Sequence, residues 1–96
     1  MAKFIVADEV RGDLDTIWFY IAQDNPDTAD KVENEITRSF YLLAENPMTG
    51  HTREDLTSRN VQFWSIYSYL IIYDATTKPI SIVRVLSSFR DIAAIL

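Results

Sequence analysis

Apolar residues recur at helical spacing in two successive stretches and then, in the second half of the chain, crowd into short runs of branched and aromatic side chains. Val10, Leu14, Ile17, Trp18 and Ile21 define a first amphipathic helix, which leaves Arg11, Asp13, Asp15 and Thr16 on its outer face. Asp8 stands where it would cap this helix, after a short strand read over Lys3 to Val6. Asn25-Pro26 reads as N-cap and first residue of a second helix, because a proline at that position gives up only an amide that has no helical partner. Its stripe is Ala29, Val32, Ile36, Phe40 and Leu43, and Asn46-Pro47 ends it, since proline disfavours helix in the residue before it. The two helices form a hairpin.

Met48 to Arg59 is polar around Gly50 and reads as a loop, with one short strand around Thr52 to Leu56. From Val61 onward two strands are expected, hinged near Ser68: Phe63, Trp64, Ile66 and Tyr67 belong to the first, Tyr69 to Tyr73 to the second. After a polar turn ending at Pro79, Ile80 to Leu86 is aliphatic and branched except at Ser81 and Arg84, the composition of a strand buried on both faces. Alternation sets Ile80, Ile82, Arg84 and Leu86 in one row. A charge in such a row needs a partner or a function; Asp55, Asp74 and Asp91 are the nearest acids in sequence. Ser88, three residues before Asp91, has the spacing of a capping box for a short terminal helix, which places Arg90 in the first turn, where the helix dipole disfavours a cation. Residues 1–96 thus read as one α+β domain: a short N-terminal strand and a helical hairpin packed on a small antiparallel sheet, closed by a short C-terminal helix.

Composition narrows the chemistry. The chain has 96 residues, 48% of them hydrophobic, enough for one core and too few for two. It contains no cysteine, so disulfides and thiolate metal sites are excluded, and a reducing cytoplasm is the expected compartment. The apolar run Phe4 to Ala7 is too short for a signal peptide, and the longest run, Ile17 to Ala22, is far from a membrane span. The formal net charge of −5 argues against a general nucleic-acid binder, although it is unevenly spread: residues 1–47 hold four basic and ten acidic side chains, residues 48–96 five and four. No phosphate loop, dinucleotide fingerprint or metal-ligand spacing occurs, and no cofactor is expected. The single histidine, His51, reads as an exposed loop residue beside a turn glycine. Arg53, Arg59, Arg84 and Arg90 lie in or beside the sheet segments, and the aromatics Trp18, Phe19, Tyr20, Phe63 and Trp64 are divided between core and surface.

Five pieces in order and spacing carry a resemblance: Asp13-Leu14-Asp15-Thr16-Ile17-Trp18-Phe19-Tyr20-Ile21-Ala22, Leu43-Ala44-Glu45-Asn46-Pro47-Met48-Thr49-Gly50, Arg53-Glu54-Asp55-Leu56, Tyr69-Leu70-Ile71-Ile72-Tyr73, and Arg84-Val85-Leu86 with Arg90-Asp91. Together they resemble the ParE branch of the RelE/ParE superfamily of bacterial type II toxin-antitoxin modules. Ser87-Ser88-Phe89 depart from that pattern, since members commonly carry a histidine followed by small residues there.

The resemblance implies a toxin neutralised by a cognate antitoxin that wraps it into a hetero-oligomer, and inhibition of DNA gyrase that stalls replication. On this reading Arg84, Arg90 and Asp91, with Arg53 and Arg59, are candidates for contacting the target. Trp18, Phe19, Tyr20, Phe63 and Trp64 are candidates for contacting the antitoxin. Two alternatives stand beside it: a ribosome-dependent mRNA interferase resembling RelE, and a module that binds its antitoxin without being toxic. The segment after Arg90 holds no basic or aromatic side chain to act as general acid, and the chain is acidic, which favours the non-catalytic, gyrase-directed branch.

Overall fold

A computed structural model describes residues 3–96. The elements follow in the order β1 (Phe4–Val6), α1 (Asp8–Ala22), α2 (Pro26–Glu45), a 3₁₀ turn (Pro47–Thr49), β2 (Gln62–Ile66), β3 (Tyr69–Asp74), β4 (Ile80–Ser87) and α3 (Ile92–Ile95). Asn25 caps α2 as its sequence requires, its side-chain oxygen accepting the Thr28 N–H at 3.1 Å. The α2 stripe from Ala29 to Leu43 is buried throughout. α1 begins one residue earlier than expected. Ala7 occupies its N-cap position without a side-chain bond, so Asp8 lies in the first turn, where its charge complements the dipole.

The four strands form one sheet in the order β1-β4-β3-β2. β2, β3 and β4 are antiparallel, as expected, but β1 pairs parallel to β4, with Phe4 opposite Ile80 and Val6 opposite Ile82, so the sheet is mixed. β4 is consequently central and carries core on both faces. Ile80, Ile82 and Val85 pack with the helical hairpin, while Leu86 belongs to a second cluster with Val61, Phe63, Leu70, Ile72 and Ile92. The simple alternation along β4 fails because Ile72 faces Arg84 whereas Tyr73 faces Ile82, which leaves Val83 as the extra residue of a bulge. Leu86 therefore does not share a row with Ile82.

No strand forms over Thr52 to Leu56. The loop turns there, with Leu56 and Thr57 donating their N–H groups to the Arg53 carbonyl, and only His51 joins the sheet, through a reciprocal bridge to Phe63. The start of the loop is pinned by Tyr73, whose buried phenol accepts the Gly50 N–H at 2.9 Å and donates to the Pro47 carbonyl at 2.7 Å. A Cβ on Gly50 would stand 2.5 Å from that oxygen. Tyr73→Phe is expected to lower stability by about 1–3 kcal/mol by stranding these groups, and Gly50→Ala by about as much through overpacking. Urea denaturation with unchanged m-values would check both.

Ser88 is not a cap. Asp91 holds that position for α3 and accepts the Ala94 N–H at 3.3 Å, so Arg90 precedes the helix and is not part of its first turn. The β2–β3 loop is the two-residue turn Tyr67-Ser68. Tyr67 has φ 53°, the one positive φ among the described non-glycine residues, and it stands where two-residue hairpins of this hand favour glycine. Such a conformation costs about 1–3 kcal/mol and persists only where its surroundings impose it.

Candidate functional site

The parallel pairing of β1 stops at Val6, so beyond Ile82 the flank of β4 has no strand beside it. α1 takes over that flank. Asp13, buried on the helix rather than on its outer face, receives the Arg84 Nε and Nη2 donors at 2.8 Å each and the Val85 N–H at 3.0 Å. The Arg84 side chain is 23% exposed and its partner 8%. This bidentate contact holds the guanidinium firmly protonated, chiefly through its hydrogen bonds to the carboxylate. None of the acids nearest in sequence provides the partner; Arg84 fastens α1 to β4.

Next to this pair lies a groove of about 450 Å³. One wall is α1, with Thr16, Ile17 and Tyr20; the other is formed by Val85, Leu86, Ser87, Phe89 and Arg90, and Ser68 and Tyr69 contribute from the β2–β3 turn. Tyr20 and Phe89 are exposed rings, 72% and 87% accessible. Burial raises the Tyr69 phenol above its ordinary range, with a smaller contribution from Tyr20 nearby. Arg90 lines the groove, is exposed, and forms no ion pair among the described residues. Its backbone is fixed nonetheless: its N–H donates to the Ser87 carbonyl at 3.1 Å, and the neighbouring Ser88 N–H to the Ser68 carbonyl at 2.8 Å. The result is a largely apolar trough with aromatic lips and one free cation, while its buried carboxylate is already neutralised.

The other candidates are dispersed. Asp91 is committed to capping α3. Arg53 holds Asp55 through two bonds at 3.0 and 2.9 Å on the exposed loop, and Arg59 is exposed further along it; neither lines the groove. Phe63, a candidate for partner contact, is buried at 3% exposure and belongs to the second core cluster. Trp64 is half-buried against the hairpin core. Trp18 donates its indole N–H to Asp30 at 2.8 Å and so ties α1 to α2, whereas Phe19 beside it is exposed. Sequence reasoning missed Asp13, Thr16, Ser68 and Phe89 as parts of the site. For Asp13 a signal existed, since it lies three residues after Val10 and four before Ile17, on the buried stripe itself.

A mixed four-stranded sheet under a helical hairpin, with an arginine unpaired among the described residues beside an aromatic groove, defines a small α+β domain with one apolar surface groove next to its α1–β4 seam. The chain belongs to the family described as ParE toxin of type II toxin-antitoxin system, parDE, whose profile matches residues 4–92. The fold is similar to a solved structure titled "Chromosomal ParDE TA system from P. aeruginosa", with a TM-score of 0.73 and 20% identity, covering 88% of this chain and 92% of that one. No curated protein matches this chain.

Proposed function

We propose that this ParE toxin inhibits DNA gyrase without catalysing a reaction, and that a cognate antitoxin neutralises it by covering exposed apolar surface that includes Phe19 and Tyr20. The observation that carries the reading is the groove itself: a free Arg90 set among aromatic rings, in a chain whose net charge is −5. An unpaired cation carried on a held backbone beside an apolar surface suits recognition of a protein segment bearing a carboxylate, whereas nucleic acid would be repelled by the chain as a whole. Proton transfer is poorly served there. The Asp13 carboxylate is engaged by Arg84, the Tyr69 phenol is shifted upward, and His51 lies outside the groove.

The test is gyrase supercoiling with purified toxin, alone and after preincubation with the antitoxin. Inhibition that the antitoxin reverses is the expected result. Supercoiling unaffected at micromolar toxin, together with codon-specific cuts in mRNA on programmed ribosomes, would replace this reading with the interferase.

A further inference from the structure

The two-residue hairpin accounts for a positive φ at position 67 but not for the tyrosine that adopts it. A two-residue loop between Ile66 and Tyr69 favours glycine or asparagine wherever φ is positive, and here the position holds a tyrosine whose side chain is 57% exposed. Core packing therefore does not account for it. The phenol donates a hydrogen bond to the Glu35 carboxylate on α2. The next residue, Ser68, lines the groove and accepts the Ser88 N–H through its carbonyl, and Ser88 directly precedes Phe89 and Arg90.

We propose that Tyr67 is a positioning residue: its bond to Glu35 holds the β2–β3 turn in its left-handed conformation, and the Ser68–Ser88 hydrogen bond passes that placement to the Phe89–Arg90 lip of the groove. Two hydrogen bonds, joined by the peptide link from Tyr67 to Ser68, thus connect α2 to the backbone that leads into Arg90. Tyrosine suits this role because its ring spans the distance to the helix and its hydroxyl gives the bond a direction. A phenol is a donor throughout the neutral range, and this hydrogen bond is the main cause that holds it above its ordinary range. The strain is kept local and offset by one contact to a rigid helix, which makes the lip sensitive to a residue that touches neither Arg90 nor the groove floor.

The experiment measures hydrogen exchange at the Ser88 amide, thermal unfolding and, resting on the reading above, inhibition of gyrase, in full-length Tyr67→Gly, Tyr67→Phe, Glu35→Ala and Glu35→Gln proteins. Tyr67→Gly should melt no lower than the wild type, because glycine adopts the turn freely, yet Ser88 should exchange at least tenfold faster and the inhibitory concentration should rise at least tenfold. Tyr67→Phe and Glu35→Ala should show the same loss of Ser88 protection, whereas Glu35→Gln, which keeps an acceptor, should restore it. A Tyr67→Gly protein with wild-type Ser88 exchange would overturn the proposal. The exchange measurement needs no target, so a wild-type toxin inert toward gyrase would count against the proposed function alone.

Discussion

Replacing Arg84 by alanine is expected to lower stability by about 3–5 kcal/mol, because the substitution leaves the Asp13 carboxylate buried with the Val85 N–H as its remaining donor. Asp13→Ala should cost somewhat less, about 2–4 kcal/mol, since the stranded Arg84 is 23% exposed and can extend its guanidinium into water. For a domain of this size a loss of 3 kcal/mol corresponds to a fall in Tm on the order of 15 °C. A double-mutant cycle through Asp13→Ala and Arg84→Ala should give a coupling energy of about 1–3 kcal/mol. Additive effects would show instead that the pair is not a unit and that α1 is held to β4 by apolar packing alone.

This pair also shows why Arg84 reads differently in sequence and in structure. A charge in a branched, apolar strand correctly signals that something must neutralise it, but its partner lies 71 positions away, on a helix whose outward and inward faces differ by a single residue at that point. Helical periodicity assigned Asp13 to the solvent side because acids usually belong there. A carboxylate between Val10 and Ile17 is nevertheless on the buried stripe, and an acid and an arginine both misplaced in apolar settings are each other's most economical solution. The second helix was the most legible, since Asn25-Pro26 starts it and Asn46-Pro47 ends it through local backbone chemistry that tertiary structure does not override.

Sheet details were less accessible. The parallel placement of β1 depends on where the hairpin returns the chain, and three residues carry no signature of direction. The bulge at Val83 moves Leu86 out of the row that alternation gives it, and no glycine marks it. Phe63 illustrates a related limit: aromatic residues in an alternating strand declare two faces, but which face meets solvent depends on what covers the second one, here Leu56, Val61 and the terminal helix. The groove was legible only in part. Arg90 stands out in the sequence because the capping-box spacing places it in the first turn of the terminal helix, whereas Asp91 is the cap and Arg90 lies before the helix; its exposure and its lining of the groove come from the structure alone.

Arg90→Glu is expected to abolish toxin action while leaving the fold intact. The side chain is exposed and makes no ion pair among the described residues, so the substitution should change stability by no more than about 0.5 kcal/mol, within about 4 °C in Tm. If Arg90 meets an acidic segment, as proposed, the effect is large, because the substitution removes a charge-assisted donor and sets a carboxylate against a carboxylate. Arginines that anchor interfaces cost about 2 kcal/mol or more on truncation, roughly a 30-fold loss, and charge reversal should exceed it. Arg90→Lys should recover part of the binding through charge alone, since an ammonium cannot reproduce the planar fork. Arg53→Glu, on the exposed loop away from the groove, provides the comparison: it breaks only the contact with Asp55 and should leave gyrase inhibition within a few-fold of wild type. The measurements are supercoiling inhibition across a toxin titration and growth arrest on induction, each with a melting curve for the same protein. A normally folded Arg90→Glu toxin that still arrests growth would place the target surface elsewhere, whereas loss of function in Arg53→Glu as well would indicate a diffuse electrostatic contribution in place of a single anchored contact.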